Sequence, residues 1–196
     1  MIKNSVLFLD MDGVIADFVG GASKKFDRQN PYLDPTIRGS DWYWKVEKLL
    51  GFECPADFWN HLDYNFWRNL PKYPDADAVI EVCRLHFSTI VFLTSPCHTL
   101  GCCDGKIDWA KEHYADIPLI LTRSVKGSPP PKNAVAGSNK FLIDDWDDNV
   151  DAFEKFGGTA FLVPRPWNKI GHKVKEVYQS YTESLVQAID MFRRGF

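Results

Sequence analysis

Val6-Leu7-Phe8-Leu9-Asp10-Met11-Asp12-Gly13-Val14-Ile15-Ala16-Asp17-Phe18 is the stretch on which the reading of this chain turns. Four apolar residues run into two carboxylates set one residue apart, followed by a glycine and a second apolar run. An unbroken apolar run bounded by turn chemistry is the pattern of a strand buried on both faces, as in parallel sheets. The carboxylates then stand at its carboxyl end, where open α/β sheets bind their ligands. In an extended segment Asp10 and Asp12 share a side, and like charges that close disfavour each other unless a cation or a shared proton relieves them. A hard divalent cation with oxygen ligands, magnesium (Mg2+) first, is the simplest relief. Asp-x-Asp-Gly is also ordinary turn chemistry at a strand end, so the reading depends on what stands elsewhere in the chain.

Downstream the rhythm is helix, strand, helix, strand. Ala76, Val79, Ile80, Val82, Cys83 and Leu85 fall at helical spacing, and residues 88–93 form a buried strand that ends in Thr94-Ser95-Pro96. A helix over 106–114, a strand over 118–122, a stiff triple-proline loop and a short turn after Lys132 follow. Residues 141–143 make a strand ending in Asp144-Asp145, with a helix over 150–156 and a last strand over 159–163. Asp147, Asp148 and Asn149 read as caps of that helix. Val174, Val177, Tyr178, Tyr181, Leu185, Ile189 and Phe192 recur with a period near 3.6, which predicts an amphipathic closing helix. Alternation of this kind predicts an α/β fold, a Rossmann-like parallel sheet flanked by helices.

Residues 17–75 have another texture. Short helical stretches at 19–26, 41–51, 57–62 and 66–70 carry no strand pattern among them. The expected organisation is a core of residues 1–16 and 76–196 with a small helical cap, residues 17–75, inserted after the first strand. Seven Trp, seven Tyr and fourteen Phe make the chain rich in aromatics, and many fall in this insertion, which points to a stacking surface.

A net charge of −3 gives no basic footprint, so a stable complex with nucleic acid is not expected, while a small anionic substrate is. No apolar run reaches the roughly 20 residues of a membrane span, and the start lacks the pattern of a secretory signal. A soluble, cytoplasmic protein is expected. Five cysteines without a C-x-x-C pair read as reduced thiols rather than as a zinc site.

Four chemically different parts thus reach the carboxyl ends of strands: Asp10 with Asp12, Thr94 with Ser95, a lysine before the fourth strand, and Asp144 with Asp145. Carboxylates hold a metal, hydroxyls and amides take phosphoryl oxygens, and a lysine neutralises the charge between nucleophile and phosphate. Together they make up a phosphoryl-transfer site. The order of D-x-D-G-V, a strand ending in Thr-Ser, a lysine and a strand ending in Asp-Asp resembles the haloacid dehalogenase superfamily of phosphohydrolases. More closely, DMDGVIADF at 10–18, LTSP at 93–96, Lys106 with Trp109, LTR at 121–123, LIDD at 142–145 and VPRPWN at 163–168 are similar to the 5′(3′)-deoxyribonucleotidase family, in a bacterial or phage branch.

That resemblance implies a magnesium-dependent phosphatase for nucleoside monophosphates. Asp10 would be the nucleophile that forms an aspartyl-phosphate, and Asp12 the acid and then the base. Magnesium would be held by Asp10, the Asp12 carbonyl and the Asp144/Asp145 pair, with the choice between those two left open. Thr94 and Ser95 would bind phosphoryl oxygens, and Lys106 and Arg123 the phosphate or ribose edge. The phosphate lysine is where the chain departs from the family, because Ser124-Val125-Lys126-Gly127 and three prolines precede it. Lys132, at a helix start, is preferred to Lys126. Phe18, Trp42, Tyr43, Phe66 and Trp67 are the candidates to stack on a base, against the alternative that they build the insertion's own core. Members of such a family are often dimeric. A phosphatase for another small phosphoester or a nucleic-acid 3′ end, and a phospho-acceptor signalling module, are the alternatives.

Overall fold

The computed structural model describes residues 2–37, 45–125, 128 and 130–195. Five strands, β1 (Ile2–Leu9), β2 (Phe87–Thr94), β3 (Leu119–Leu121), β4 (Lys140–Asp144) and β5 (Thr159–Leu162), form one parallel sheet in the order β3-β2-β1-β4-β5. The chain winds outward from β1 to β3 and then crosses to the other side of β1, so the switch point where such sheets bind ligands lies between β1 and β4. Register brings the chemistry to one level. Leu9 pairs with both Phe92 and Ile143, and Asp10 N–H donates to the Ile143 carbonyl at 3.0 Å, so Asp10, Thr94 and Asp144 leave the sheet within a residue of one another.

Strand alternation divides the core into two faces. Leu7, Leu9, Phe92, Phe141 and Ile143 join the larger cluster, while Phe8, Leu93 and Leu142 join a smaller one closed by Phe153. Helices α5 (Ala76–His86), α6 (Cys102–Tyr114), α7 (Asp147–Lys155) and α8 (Thr182–Arg194) cover the sheet, with α8 against α5 and β5 and α7 against β4 and β5. No helix among the described residues is long and apolar enough to cross a membrane.

Between β1 and α5 the described residues include four short α-helices, α1 (Phe18–Lys25), α2 (Val46–Leu49), α3 (Pro55–Trp59) and α4 (Tyr64–Arg68). Asp17 caps α1 by accepting from Gly20 N–H at 2.9 Å, and Asp63 caps α4 from Phe66 N–H at 3.0 Å. The two chain crossings that bound this segment are stitched together, Asp17 N–H to the Pro71 carbonyl at 2.7 Å and Tyr73 N–H to the Ile15 carbonyl at 2.9 Å.

Three expectations are corrected. The closing helix begins at Thr182, not near Val174; Val174 and Val177 are buried from a non-helical segment, because apolar residues three apart face one side of a turn-rich chain as well as of a helix. Helix α6 begins a turn earlier than expected, at Cys102. Asp147, Asp148 and Asn149 are the first turn of α7 rather than its side-chain caps, and Asn149 is occupied elsewhere. Residues 41–44 of the helix expected over 41–51 lie outside the described residues.

Candidate active site

The chain leaves β1 at Asp10 and turns at once, with the Met11 carbonyl accepting from Ile15 N–H at 2.9 Å and Ala16 N–H at 2.8 Å. Gly13 sits in that turn at φ +73°, and a Cβ there would fall 2.1 Å from Asp145 Oδ2. Both the left-handed backbone and the close approach of the acidic pair require glycine. The carbonyls of the turn are held from behind. Arg165 donates from Nε to Gly13 O at 2.5 Å and from Nη2 to Val14 O at 3.2 Å, while its guanidinium lies 3.7 Å from the Tyr73 ring centroid.

Two buried lysines face the carboxylates. Lys132, inside a 3-10 turn over Pro131–Val135, places Nζ 2.7 Å from Asp144 Oδ2 and 2.9 Å from Asp10 Oδ1. Burial alone would lower its pKa, but Asp10 and then Asp144 outweigh that and leave it raised. Lys106, on α6, donates to Asp12 Oδ2 and to Thr94 Oγ1, the latter at 3.2 Å. Asp12 is pushed up by burial against the pull of Lys106, so it holds a proton more readily than an exposed aspartate. Asp12 Oδ1 is buried without a hydrogen-bond partner.

The acidic pair is asymmetric. Asp144 accepts from Lys132, from Trp146 N–H at 2.9 Å and from Asn149 Nδ2 at 3.1 Å, so the protein engages both of its oxygens. Asp145 Oδ2 accepts from Trp167 Nε1 at 2.6 Å, and Asp145 lines the open cleft. Burial, then Asp144 and Asp10, push the Asp145 carboxyl up. Asp10, Asp144 and Asp145 each offer an oxygen within 4.8 Å of the others.

The cleft has a volume of about 460 Å³, and Asp10, Asp12, Thr94, Ser95, Lys132 and Asp145 all line it. Ser95 Oγ lies 2.7 Å from Thr122 Oγ1 and Thr94 is almost wholly buried, so both hydroxyls are fixed at the end of β2. Other expected residues stand differently. Lys106 was expected at the phosphate or ribose edge and is instead paired with Asp12. Arg123 is exposed after β3 and does not line the cleft. Phe18 is 4% exposed, parallel to Trp59 and Trp67 with centroids at 5.7 and 5.5 Å and edge-on to Phe58 and Phe66, which leaves no open face for a base. Phe66 and Trp67 are buried in the same cluster, and Trp67 Nε1 is bonded to the Leu62 carbonyl. All three are therefore core residues of the insertion in this structure, the alternative left open by their sequence. Trp42, Tyr43 and Lys126 lie outside the described residues.

Sequence reasoning gave no role to Arg165, Trp167 or Asn168 and read Asn149 as a helix cap, whereas its Nδ2 donates to Asp144. Asn168 Nδ2 ties the Asp145 carbonyl at 3.0 Å to the Val163 carbonyl at 2.7 Å. The signal was available: polar Arg165 and Asn168 with Trp167 follow directly on the last strand, at the carboxyl edge where the other chemistry collects.

A profile of the family described as 5′ nucleotidase, deoxy (Pyrimidine), cytosolic type C protein matches residues 4–190. The chain is 27% identical over 168 residues to the 5′(3′)-deoxyribonucleotidase of Bacillus subtilis (strain 168), covering 84% of this chain and 87% of the relative. It is 30% identical over 159 residues to the mitochondrial 5′(3′)-deoxyribonucleotidase of Mus musculus, covering 74% and 66%. A solved haloacid dehalogenase-like family hydrolase from Streptococcus pneumoniae superposes over 95% of this chain and 99% of its own with a TM-score of 0.53 and 13% identity, a likeness of fold alone. The family match runs from β1 into α8 and takes in every strand end that carries a carboxylate, hydroxyl or lysine of the cleft, and the chain is a phosphoric monoester hydrolase belonging to the cytosolic type C 5′-nucleotidase family.

Proposed function

We propose that the protein hydrolyses deoxyribonucleoside monophosphates to nucleoside and phosphate, through a phosphoryl group carried on Asp10 and with magnesium as its metal. The carrying observation is the division of labour between Asp10 and Asp12. Asp10 stands against the Lys132 ammonium, Nζ to Oδ1 2.9 Å, at the end of β1, whereas burial lets Asp12 hold a proton. An Asp10 carboxylate oxygen attacks phosphorus and the bond to the nucleoside oxygen breaks. Asp12 donates its proton to that leaving oxygen, then takes a proton from the water that hydrolyses the aspartyl-phosphate. Thr94, Ser95 and Lys132 bind the phosphoryl oxygens and spread their charge.

The residues fit a hard divalent cation. Asp10, Asp12, Asp144 and Asp145 stand with two buried lysines, an excess of negative charge, and the donors are all oxygen. Asp10, the Asp12 carbonyl and Asp145 would hold magnesium; Asp144 is already engaged by Lys132, Trp146 and Asn149. When bound, it adds positive charge beside the phosphoryl oxygens. A net charge of −3 favours a small substrate over a polynucleotide, and a reducing cytoplasm suits the five free cysteines.

The test is phosphate release from deoxy- and ribonucleoside 5′- and 3′-monophosphates with magnesium, beside Asp10→Asn. Deoxynucleotide turnover that chelator abolishes and that D10N lowers by about a thousandfold is expected. Inert nucleotides alongside hydrolysis of an aryl phosphate overturn the substrate assignment, and full activity in D10N overturns the mechanism.

A further inference from the structure

The segment that follows β5 reaches both arms of the acidic centre. Arg165 holds the carbonyls of the turn after β1, and Trp167 and Asn168 hold the end of β4. Asp145 is gripped from three sides. Its Oδ2 accepts from Trp167 Nε1 at 2.6 Å, its main-chain carbonyl accepts from Asn168 Nδ2 at 3.0 Å, and its carboxylate lies so close to Gly13 that a Cβ there would fall 2.1 Å from Oδ2. The groups that grip it are held in turn. Trp167 is buried with its ring centroid 5.3 Å from that of Tyr32, and Asn168 is wholly buried, its own carbonyl accepting from Gly171 N–H at 2.7 Å.

The chemical type of the donor matters as much as its place. Among the described residues no cation pairs with Asp145, whereas Lys132 pairs with both Asp10 and Asp144. An ammonium that fixes a carboxylate also cancels its charge and competes with a metal ion for it. An indole N–H is an uncharged donor that does not titrate, so it fixes the carboxylate and leaves its charge in place.

We propose that Trp167, with Asn168 behind it, is a positioning residue for a divalent cation: its N–H sets the orientation in which Asp145 meets the ion and makes Asp145, rather than Asp144, the ligand of the acidic pair. This rests on the magnesium reading above. A donor behind a carboxylate ligand removes its freedom to turn before the ion arrives, so less of the binding energy is lost in ordering it. The lysine that marks Asp144 as a structural partner and the indole that marks Asp145 as a ligand thus divide two adjacent aspartates between two tasks.

The test measures cation binding itself. Mn2+ bound by wild type and by Trp167→Phe is counted from the electron paramagnetic resonance of the free ion, and Mg2+ binding is followed by calorimetry. Phenylalanine keeps a ring against Tyr32 and removes the N–H. The Kd for either ion is expected to rise about 10–100-fold in W167F, the range for losing a hydrogen bond behind a metal ligand, and saturating magnesium is expected to return kcat to within about threefold of wild type. Circular dichroism establishes that the variant is folded. An unchanged Kd in folded W167F overturns the proposal, and so does a kcat that excess magnesium does not restore, the mark of a distorted cleft rather than of a ligand left unaimed. Wild type supplies a readout that needs no variant to fold: the Trp167 indole N–H resonance is expected to shift as magnesium is added, with the calorimetric midpoint, and a resonance unmoved at saturation overturns the proposal. A failure of the magnesium reading looks different: wild type then binds neither ion, and both ideas fall.

Discussion

Arg165 shows how much of the site's geometry depends on one side chain outside the acidic motif. It is 1% exposed, and its fork spans the Gly13 and Val14 carbonyls while Tyr73 and Tyr181 flank the guanidinium. These carbonyls belong to the turn that aims Asp10 and Asp12, and Tyr181 Oη reaches the same Val14 oxygen at 3.3 Å. Removing the fork strands the Gly13 carbonyl, a loss worth about 1–3 kcal/mol, and leaves the Val14 carbonyl to Tyr181. Arg165→Met is expected to lower unfolding stability by about 1–3 kcal/mol in urea. It should also reduce kcat about tenfold or more with a smaller change in KM, because misplaced reacting groups affect the chemical step. Arg165→Lys is expected not to rescue kcat, since a single ammonium does not reproduce a planar two-donor fork. A variant with wild-type kcat would show that the turn holds its shape without Arg165.

At the scale of elements, the inserted helices are four to eight residues long, too short to stand alone in water. They are held by rings: Phe18 among Phe58, Trp59, Phe66 and Trp67, and Phe26 against Phe52 and Phe58. Phe18→Ala is therefore expected to cost about 3–5 kcal/mol of stability, the range for emptying a buried aromatic site. A base-stacking role would instead raise KM and leave the urea midpoint in place, so the two measurements together separate core from contact. The strands were legible because unbroken apolar runs ending in Thr94 and Asp144 leave few alternatives, and the carboxylates at the cleft came with them. Phe18 was not, because an aromatic that closes a core and one that receives a base are the same letter; only neighbours distant in sequence, such as Trp59 and Trp67, decide. The Val174–Val177 spacing misled for a related reason: burial was read correctly, but helix was inferred from it.

For the molecule as a whole, the insertion is joined to the core at several places, and besides Tyr32 on Trp167 two of them bear on the site. One is the neck, where residues 15–17 and 71–73 bond across and Tyr178 Oη donates to Asp17 Oδ2 at 3.0 Å. The other is the seam of α4 on α6, closed so tightly that a Cβ on Gly105 would meet Trp67 Cβ at 2.6 Å and the Tyr64 carbonyl at 2.9 Å. Lys106, next in the chain, lies 5.1 Å from the Trp67 ring and pairs with Asp12, so the seam and Asp12 share one wall. Gly105→Ala sets two effects against each other. Alanine favours a helix interior over glycine by roughly 1 kcal/mol, but here the obstacles are main-chain atoms and a Cβ, which cannot turn aside as a flexible side chain would. Overpacking of this kind costs about 1–3 kcal/mol, so a net loss of stability is expected, with a fall in kcat as α4 shifts and Lys106 follows. The check is a urea unfolding curve followed by both tryptophan fluorescence and far-UV circular dichroism, together with kcat on the best deoxynucleotide. Coincident curves at a lower midpoint fit an insertion and core that unfold as one body; a G105A protein more stable than wild type would mean that α4 gives way freely, and that the seam does not position Lys106.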